Sequence, residues 1–277
     1  MAIPSALTIA ASDSCGADGL QADLRTFAAL KVHGASVVTL VTAQNTENVT
    51  AAEFMPPALI EAQIRAVFDD MTIMAVKIGA LGSVESIETV ARTLKDVIPE
   101  DAVIPIVADP VMTNHAGDVL VDQAVIDAWK THILPMATVV TPNLAEAALL
   151  TGRDKPQTLG DLMEIGDALV EAGVTEALVS GGQGKAENSI DILISNNRPP
   201  VQLRAERMTR ENMRGLSSTL TAAIAAHIAH EIAPYEAIQV SKVFLSGAID
   251  TADTFSIGKG PGPVHQLHRM WESRQKS

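Results

Sequence analysis

Residues 211–220 read ENMRGLSSTL and run into TAAIAAHIAHEI, a stretch with helical spacing built largely of small residues. A glycine turn, then Ser and Thr, then a helix N-terminus presents free backbone N–H groups to a phosphate. Against that reading, Met213, Arg214 and Leu216 stand where a phosphate loop is normally slim. Other polar turns recur down the chain: SDSCGADG, TAQNT, KIGALGS, ADPVMTNHAGD, TPNLAEA and SGGQG. Any one of them reads as ordinary helix capping or turn chemistry. Six, each at the end of an apolar run, point to a site.

Those runs are the elements that must position the turns. Strand-length apolar segments are expected at 5–11, 35–43, 74–80, 104–110, 138–142, 176–182 and 190–195. Helical i, i+3, i+4 patterns lie between and after them, at 20–33, 58–71, 86–97, 122–133, 159–173, 216–230 and 235–249. Nearly unbroken apolar strands imply burial on both faces. The expected fold is therefore α/β, a single domain over 1–277 with a mostly parallel central sheet between helix layers. In such sheets ligands collect beyond the carboxyl ends of the strands, where these turns fall.

Composition narrows the class. The chain is 47% hydrophobic and 19% charged, with a formal net charge of −13 that disfavours nucleic acid. The one cysteine, Cys15, excludes a disulfide framework and reads as a turn residue, since no paired His activates it. The N-terminal apolar run is too short to span a bilayer and lacks a basic flank, which leaves a cytoplasmic setting as the expectation. No P-loop motif occurs.

The segments SDSCGADGLQADLRTFAAL, VTAQNT, VKIGAL, ADPVM with AGD, TPNLAEA, the Gly pair at 181–182 and GKGPGPVHQLH resemble the hydroxymethylpyrimidine/phosphomethylpyrimidine kinases of thiamine biosynthesis, within the ribokinase-like superfamily. The resemblance runs almost end to end. It implies a ribokinase-like sandwich, a homodimer, and ATP- and Mg²⁺-dependent phosphorylation of the pyrimidine's hydroxymethyl group and of the resulting monophosphate. It also implies site residues. Asp23, Gln44, Gly19 and Met112 fall at substrate positions, and a carboxylate with a carboxamide suits an aminopyrimidine edge. Asp109 and Glu146 fall near Mg²⁺, a metal that takes few carboxylates. Asn143, Ser180, Gly182 and Arg214 fall near the nucleotide phosphates, and Gly215, Ser217 and Ser218 at the catalytic loop.

The departures from the family concentrate around the phosphates. Its Gly-Thr-Gly-Cys loop, preceded by His, is here Gly215-Leu216-Ser217-Ser218 preceded by Arg214. Ser218 stands at the position of the base, and a serine hydroxyl is a poor base without a partner. Lys-Gly-Gly-His becomes Ser180-Gly181-Gly182-Gln183, a further family Lys becomes His115, and Asp18 replaces an Ala. Arg214 reads either as a bidentate phosphate clamp or as a solvated loop cation. Two alternatives therefore stand beside the kinase: a catalytically degenerate pyrimidine-binding protein, and a kinase for another small alcohol such as pyridoxal.

Overall fold

The computed structural model describes residues 3–99, 101–114, 117–181 and 188–271. Gly182, Gln183 and His115 lie outside the described residues. Nine strands form one sheet: β1 (Ser5–Asp13), β2 (His33–Gln44), β3 (Val49–Phe54), β4 (Ala75–Ile78), β5 (Ile106–Ala108), β6 (Val139–Val140), β7 (Glu176–Val179), β8 (Asn188–Ser195) and β9 (Arg198–Glu206). Their order is β3-β2-β1-β4-β5-β6-β7-β8-β9. Neighbours from β2 through β7 pair in parallel, while β3, at one edge, and β8 and β9, at the other, join antiparallel.

Strand alternation sorts the two faces by size. Leu7, Ile9, Val76 and Ile78 point to a core shared with α2 (Pro57–Asp70), α3 (Val84–Val97), α4 (Gln123–Ala128), α5 (Leu144–Thr151) and α6 (Leu159–Glu171). Ala6, Ala75, Val107 and Val139 point the other way, against α1 (Gly19–Ala29), α7 (Leu216–Ala229) and α8 (Pro234–Asp250). Small sheet residues let α7 approach closely, and α7 answers with Ala222, Ala225 and Ala226, all fully buried. Alanine is the best helix former and loses no side-chain entropy on burial, so this helix can be buried on nearly every side.

Several elements differ from the expectation. β3 and β9 were not anticipated: β3 is exposed at every residue, and β9 carries two prolines, which a sheet tolerates at an edge. The helix expected at 122–133 stops at Ala128 and continues as a π turn (Trp129–Ile133) and a 3₁₀ turn (Leu134–Met136), ending where Pro135 cannot donate. α5 begins directly after the TPN turn.

The sheet order reverses direction at β1, because β2 lies on one side of it and β4 on the other. That switch point opens a crevice beyond the carboxyl ends of β1 and β4. As far as the described residues run, the expected turns leave the sheet along this one edge, and the N-terminus of α7 reaches the same place.

Candidate active site

The floor is a buried charged group. Lys77 is the third residue of β4, and alternation turns it away from Val76 and Ile78 onto the α1/α7 face. Its ammonium donates to Asp23 Oδ2 at 3.0 Å, and Thr8 Oγ1 donates to the same oxygen at 2.6 Å. Side-chain exposure is 1% for Lys77 and 0% for Asp23, so neither charge has water to screen it. Burial pushes the Asp23 carboxyl above the usual range, with Lys77 opposing the shift. Asp23 Oδ1 has no hydrogen-bond partner.

Asp109 follows β5 on the next strand end. Its Oδ1 accepts from Ser217 Oγ at 2.6 Å, while its buried Oδ2 has no partner. Burial raises its pKa, and Lys77 pulls the other way. Glu146 is held at both oxygens. Oε1 accepts from Met112 N–H (3.2 Å) and Thr113 Oγ1 (3.1 Å), and Oε2 from Asn143 N–H (3.0 Å). The last bond is half of a capping box, in which Asn143 Oδ1 accepts in return from Glu146 N–H at 3.1 Å. Burial, then the neighbouring Asp109 charge, pushes Glu146 up to about 7.

Across from these acids stands the N-terminus of α7. Gly215 caps it at φ +73°, a backbone a side chain would strain, and a Cβ there would meet Ala17 O at 2.3 Å. Gly19, at φ +57°, is pressed equally hard against Ala11 O. Gly215 lets the start of α7 close on the turn before α1, Gly19 lets α1 close on β1, and Gly19 N–H donates to Ser218 Oγ at 3.3 Å. Ser217 and Ser218 thus both have partners, and neither partner is a histidine. The Ser217 side chain is turned onto Asp109.

On the β1/β2 side, Asp13 Oδ1 accepts from Cys15 N–H, and Oδ2 from Ala17 and Asp18 N–H, which folds the SDSCGADG turn around one carboxylate. Burial raises the pKa of Cys15, which leaves it a poor nucleophile, in keeping with a turn residue. Gln44 is half-buried and fixed by Ser14, whose Oγ accepts from Gln44 N–H and donates to Gln44 O, both at 2.8 Å. Arg214 lies against the same turn. Its Nε is 3.4 Å from Asp18 Oδ2 and its Nη1 donates to Asn45 O at 3.0 Å.

On the far side, Ser180 bridges to Asn143, and Gly181 N–H donates to Asp191 Oδ1 at 3.0 Å. Asp191 Oδ2 in turn meets Lys242 Nζ of α8 at 2.6 Å.

Hydrogen bonds and neighbouring charges link Asp109, Glu146, Asn143, Ser217, Ser218 and Gly19 at one sheet edge next to Gly215, with Gln44 and Arg214 on one flank and Ser180 on the other, while Asp23 is sealed beneath them with Lys77. Met112 joins only through its backbone, since its side chain is fully buried in the larger core. Sequence reasoning missed Lys77 and the Asp191–Lys242 pair. A lysine inside the otherwise apolar run MAVKIGA was the available signal for the first.

Two carboxylates, one with an unpartnered oxygen, fit the sparse ligation of Mg²⁺. Among the described residues there is no cluster of three or more His, Cys, Asp or Glu for a metal that needs a full protein cage.

Comparisons with known proteins agree with the fold. Residues 13–265 match the family described as phosphomethylpyrimidine kinase. A hydroxymethylpyrimidine/phosphomethylpyrimidine kinase of Rhizobium meliloti (strain 1021) is 43% identical over 267 residues, covering 96% of this chain and 98% of its own. Among solved structures, an ADP complex of Bacillus subtilis pyridoxal kinase superposes with a TM-score of 0.87 at 32% identity, covering 97% of this chain and all of its own. A phosphomethylpyrimidine kinase from Clostridium difficile 630 gives 0.77 at 34% identity, covering 88% and 99%.

Proposed function

The chain belongs to the phosphomethylpyrimidine kinase family, and from that premise we propose that it transfers the γ-phosphoryl group of ATP to hydroxymethylpyrimidine and to its monophosphate, in thiamine biosynthesis or salvage. The observation that carries the reading is the meeting of the α7 N-terminus with the Asp109–Glu146 acids beyond the ends of β5 and β6, joined by the 2.6 Å Ser217–Asp109 bond. A phosphoryl group in flight needs N–H donors on one side and a metal-holding carboxylate on the other.

Within this reading Gln44 orients the pyrimidine above the sealed Asp23–Lys77 pair, which the resemblance places among the substrate residues, and Gly19 and the Met112 backbone shape its pocket. Asp109, through its free oxygen, and Glu146 would hold Mg²⁺, which neutralises phosphate charge when bound. Asn143 and Ser180 face the nucleotide, as does Gly182 by resemblance. Gly215, Ser217 and Ser218 hold the transferring group with the free N–H groups of the first turn of α7. Among the described residues no base hydrogen-bonds to Ser218 to take the substrate proton, so turnover is slow relative to relatives with Cys or Asp there. A positioned base typically supplies ~10²–10⁴-fold. Family resemblance adds one domain, a homodimer and a cytoplasmic setting to the proposal. No helix among the described residues is long and apolar enough to cross a membrane.

The pyridoxal kinase likeness gives a second substrate worth separating. Steady-state ADP formation should depend on Mg²⁺ and on hydroxymethylpyrimidine, with kcat/KM above that for pyridoxal. ADP formation that responds to pyridoxal and not to the pyrimidine would overturn the assignment.

A further inference from the structure

The closing segment GPVHQLH carries part of the family resemblance, yet none of its side chains enters the site described above. Its carboxamide nevertheless reaches both halves of that site. Gln266 is 2% exposed. Its Oε1 accepts from Arg25 Nε at 3.1 Å, and its Nε2 donates to Thr219 Oγ1 at 3.1 Å. The partners dictate which way the amide faces. A guanidinium can only donate, so the carbonyl must point to Arg25 and the NH₂ to the threonine hydroxyl.

Each partner belongs to a different half. Arg25 lies on α1, and its Nη2 donates to Gly16 O inside the SDSCGADG turn on the substrate side. Thr219 is fully buried at the end of the first turn of α7, next to Ser218, and its N–H donates to Gly215 O at 2.9 Å. The backbone of the same C-terminal segment grips the residue before that turn. Arg214 N–H donates to Gly262 O at 3.1 Å, Val264 N–H donates to Arg214 O at 3.0 Å, and Gln266 N–H donates to Val264 O at 3.2 Å. One carboxamide therefore registers the turn on the substrate side against the turn that offers its N–H groups to the phosphoryl. In-line transfer depends on that register, since a displacement of about 1 Å at the reacting atoms can cost ~10²-fold. We infer that Gln266 is a positioning residue for phosphoryl transfer, setting the start of α7 against the SDSCGADG turn through Thr219 and Arg25. This rests on the kinase reading above. Because Gln266 acts through those two partners, its loss belongs in kcat and not in ligand affinity.

The test uses the full chain with three single variants. Gln266→Met keeps the length and removes both hydrogen bonds. Gln266→Glu can keep both, because the Thr219 hydroxyl can turn and donate. Thr219→Val removes one bond from the other side. Formation of phosphorylated pyrimidine gives kcat and the KM values for hydroxymethylpyrimidine and Mg-ATP, and urea unfolding gives the midpoint. Gln266→Met should lower kcat about 10- to 100-fold with both KM values within about twofold of wild type. Gln266→Glu should regain most of the lost rate. Thr219→Val should also lower kcat, and Gln266→Met/Thr219→Val should be no slower than Gln266→Met, because the two residues act through one bond. Thr219→Val decides the question if Gln266→Met fails to fold. Unchanged kcat with a lower urea midpoint would make Gln266 a purely structural residue and overturn the inference. Raised KM values with kcat intact would overturn it too, as would a glutamate variant as slow as the methionine one. Wild-type protein that forms no phosphorylated pyrimidine would overturn the kinase reading itself, and this inference with it.

Discussion

Replacing Lys77 with methionine removes the cation that pairs with the buried Asp23 and lies near the buried Asp109. Asp23 and Asp109 would both lose the charge that opposes their burial, and Asp23 would keep only the Thr8 hydroxyl. Breaking a buried pair from one side costs about 3–5 kcal/mol. The structure sets a limit on the Asp23 share, because the acid can escape by staying protonated. Taking up a proton at pH 7 against an unfolded pKa of about 3.9 costs at most about 4 kcal/mol, and at pH 5 only about 1.5. The sign follows from linkage: the folded state then binds a proton that the unfolded state has released, so the penalty grows as pH rises above the unfolded pKa. Urea unfolding of Lys77→Met and wild type at the two pH values measures it. The expected loss is about 3–4 kcal/mol at neutral pH and less than half of that at pH 5. Lys77→Met/Asp23→Asn should recover part of the neutral-pH loss. A loss of equal size at both pH values, or a double variant weaker than the single, would refute the buried-charge account.

Ser217→Ala leaves neither oxygen of Asp109 with a protein donor and should cost about 1–3 kcal/mol. An unchanged urea midpoint would show that the 2.6 Å bond carries no weight. Lys242→Met frees Asp191 from its ion pair and loosens the Gly181 N–H contact at the nucleotide side, so KM for Mg-ATP should rise several-fold while calorimetric pyrimidine affinity holds. Equal effects on both ligands would mean general destabilisation. Cys15, with its thiol pKa raised by burial, should alkylate more slowly than a free thiol at neutral pH and gain rate as pH rises beyond the usual thiol range. Reaction at the free-thiol rate would contradict that environment.

The alternation of apolar runs and helical patterns made the layers and the loaded sheet edge legible, because burial on both faces leaves an unbroken hydrophobic signal. β3 and β9 were not legible for the converse reason: exposed edge strands bury little and carry polar residues and proline. At the site, the placement of Asp109, Asn143 and Glu146 at one sheet edge was legible because each lies where a strand end meets a helix start, while their roles come only from the family resemblance. Lys77 could not, since a lysine in a strand reads as an outward-facing residue until the fold supplies an acid from another helix. Asp18 and Arg214 were visible singly, as an added acid and an added cation. Their pairing depends on α1 and α7 starting side by side, which is a property of the tertiary structure. Met112 shows the opposite failure, a motif residue whose backbone serves the site while its side chain serves the core.

The most direct measurement is the fate of the phosphoryl group. Purified protein, Mg-ATP and hydroxymethylpyrimidine are incubated together, and the pyrimidine is analysed by mass alongside the ADP formed. The account predicts a pyrimidine carrying an added phosphoryl group in amount equal to ADP, at a slow rate that reflects serine at position 218. ADP with free phosphate and unmodified pyrimidine, or calorimetric binding of the pyrimidine with no ADP at all, would contradict it and leave a pyrimidine-binding protein built on a kinase fold.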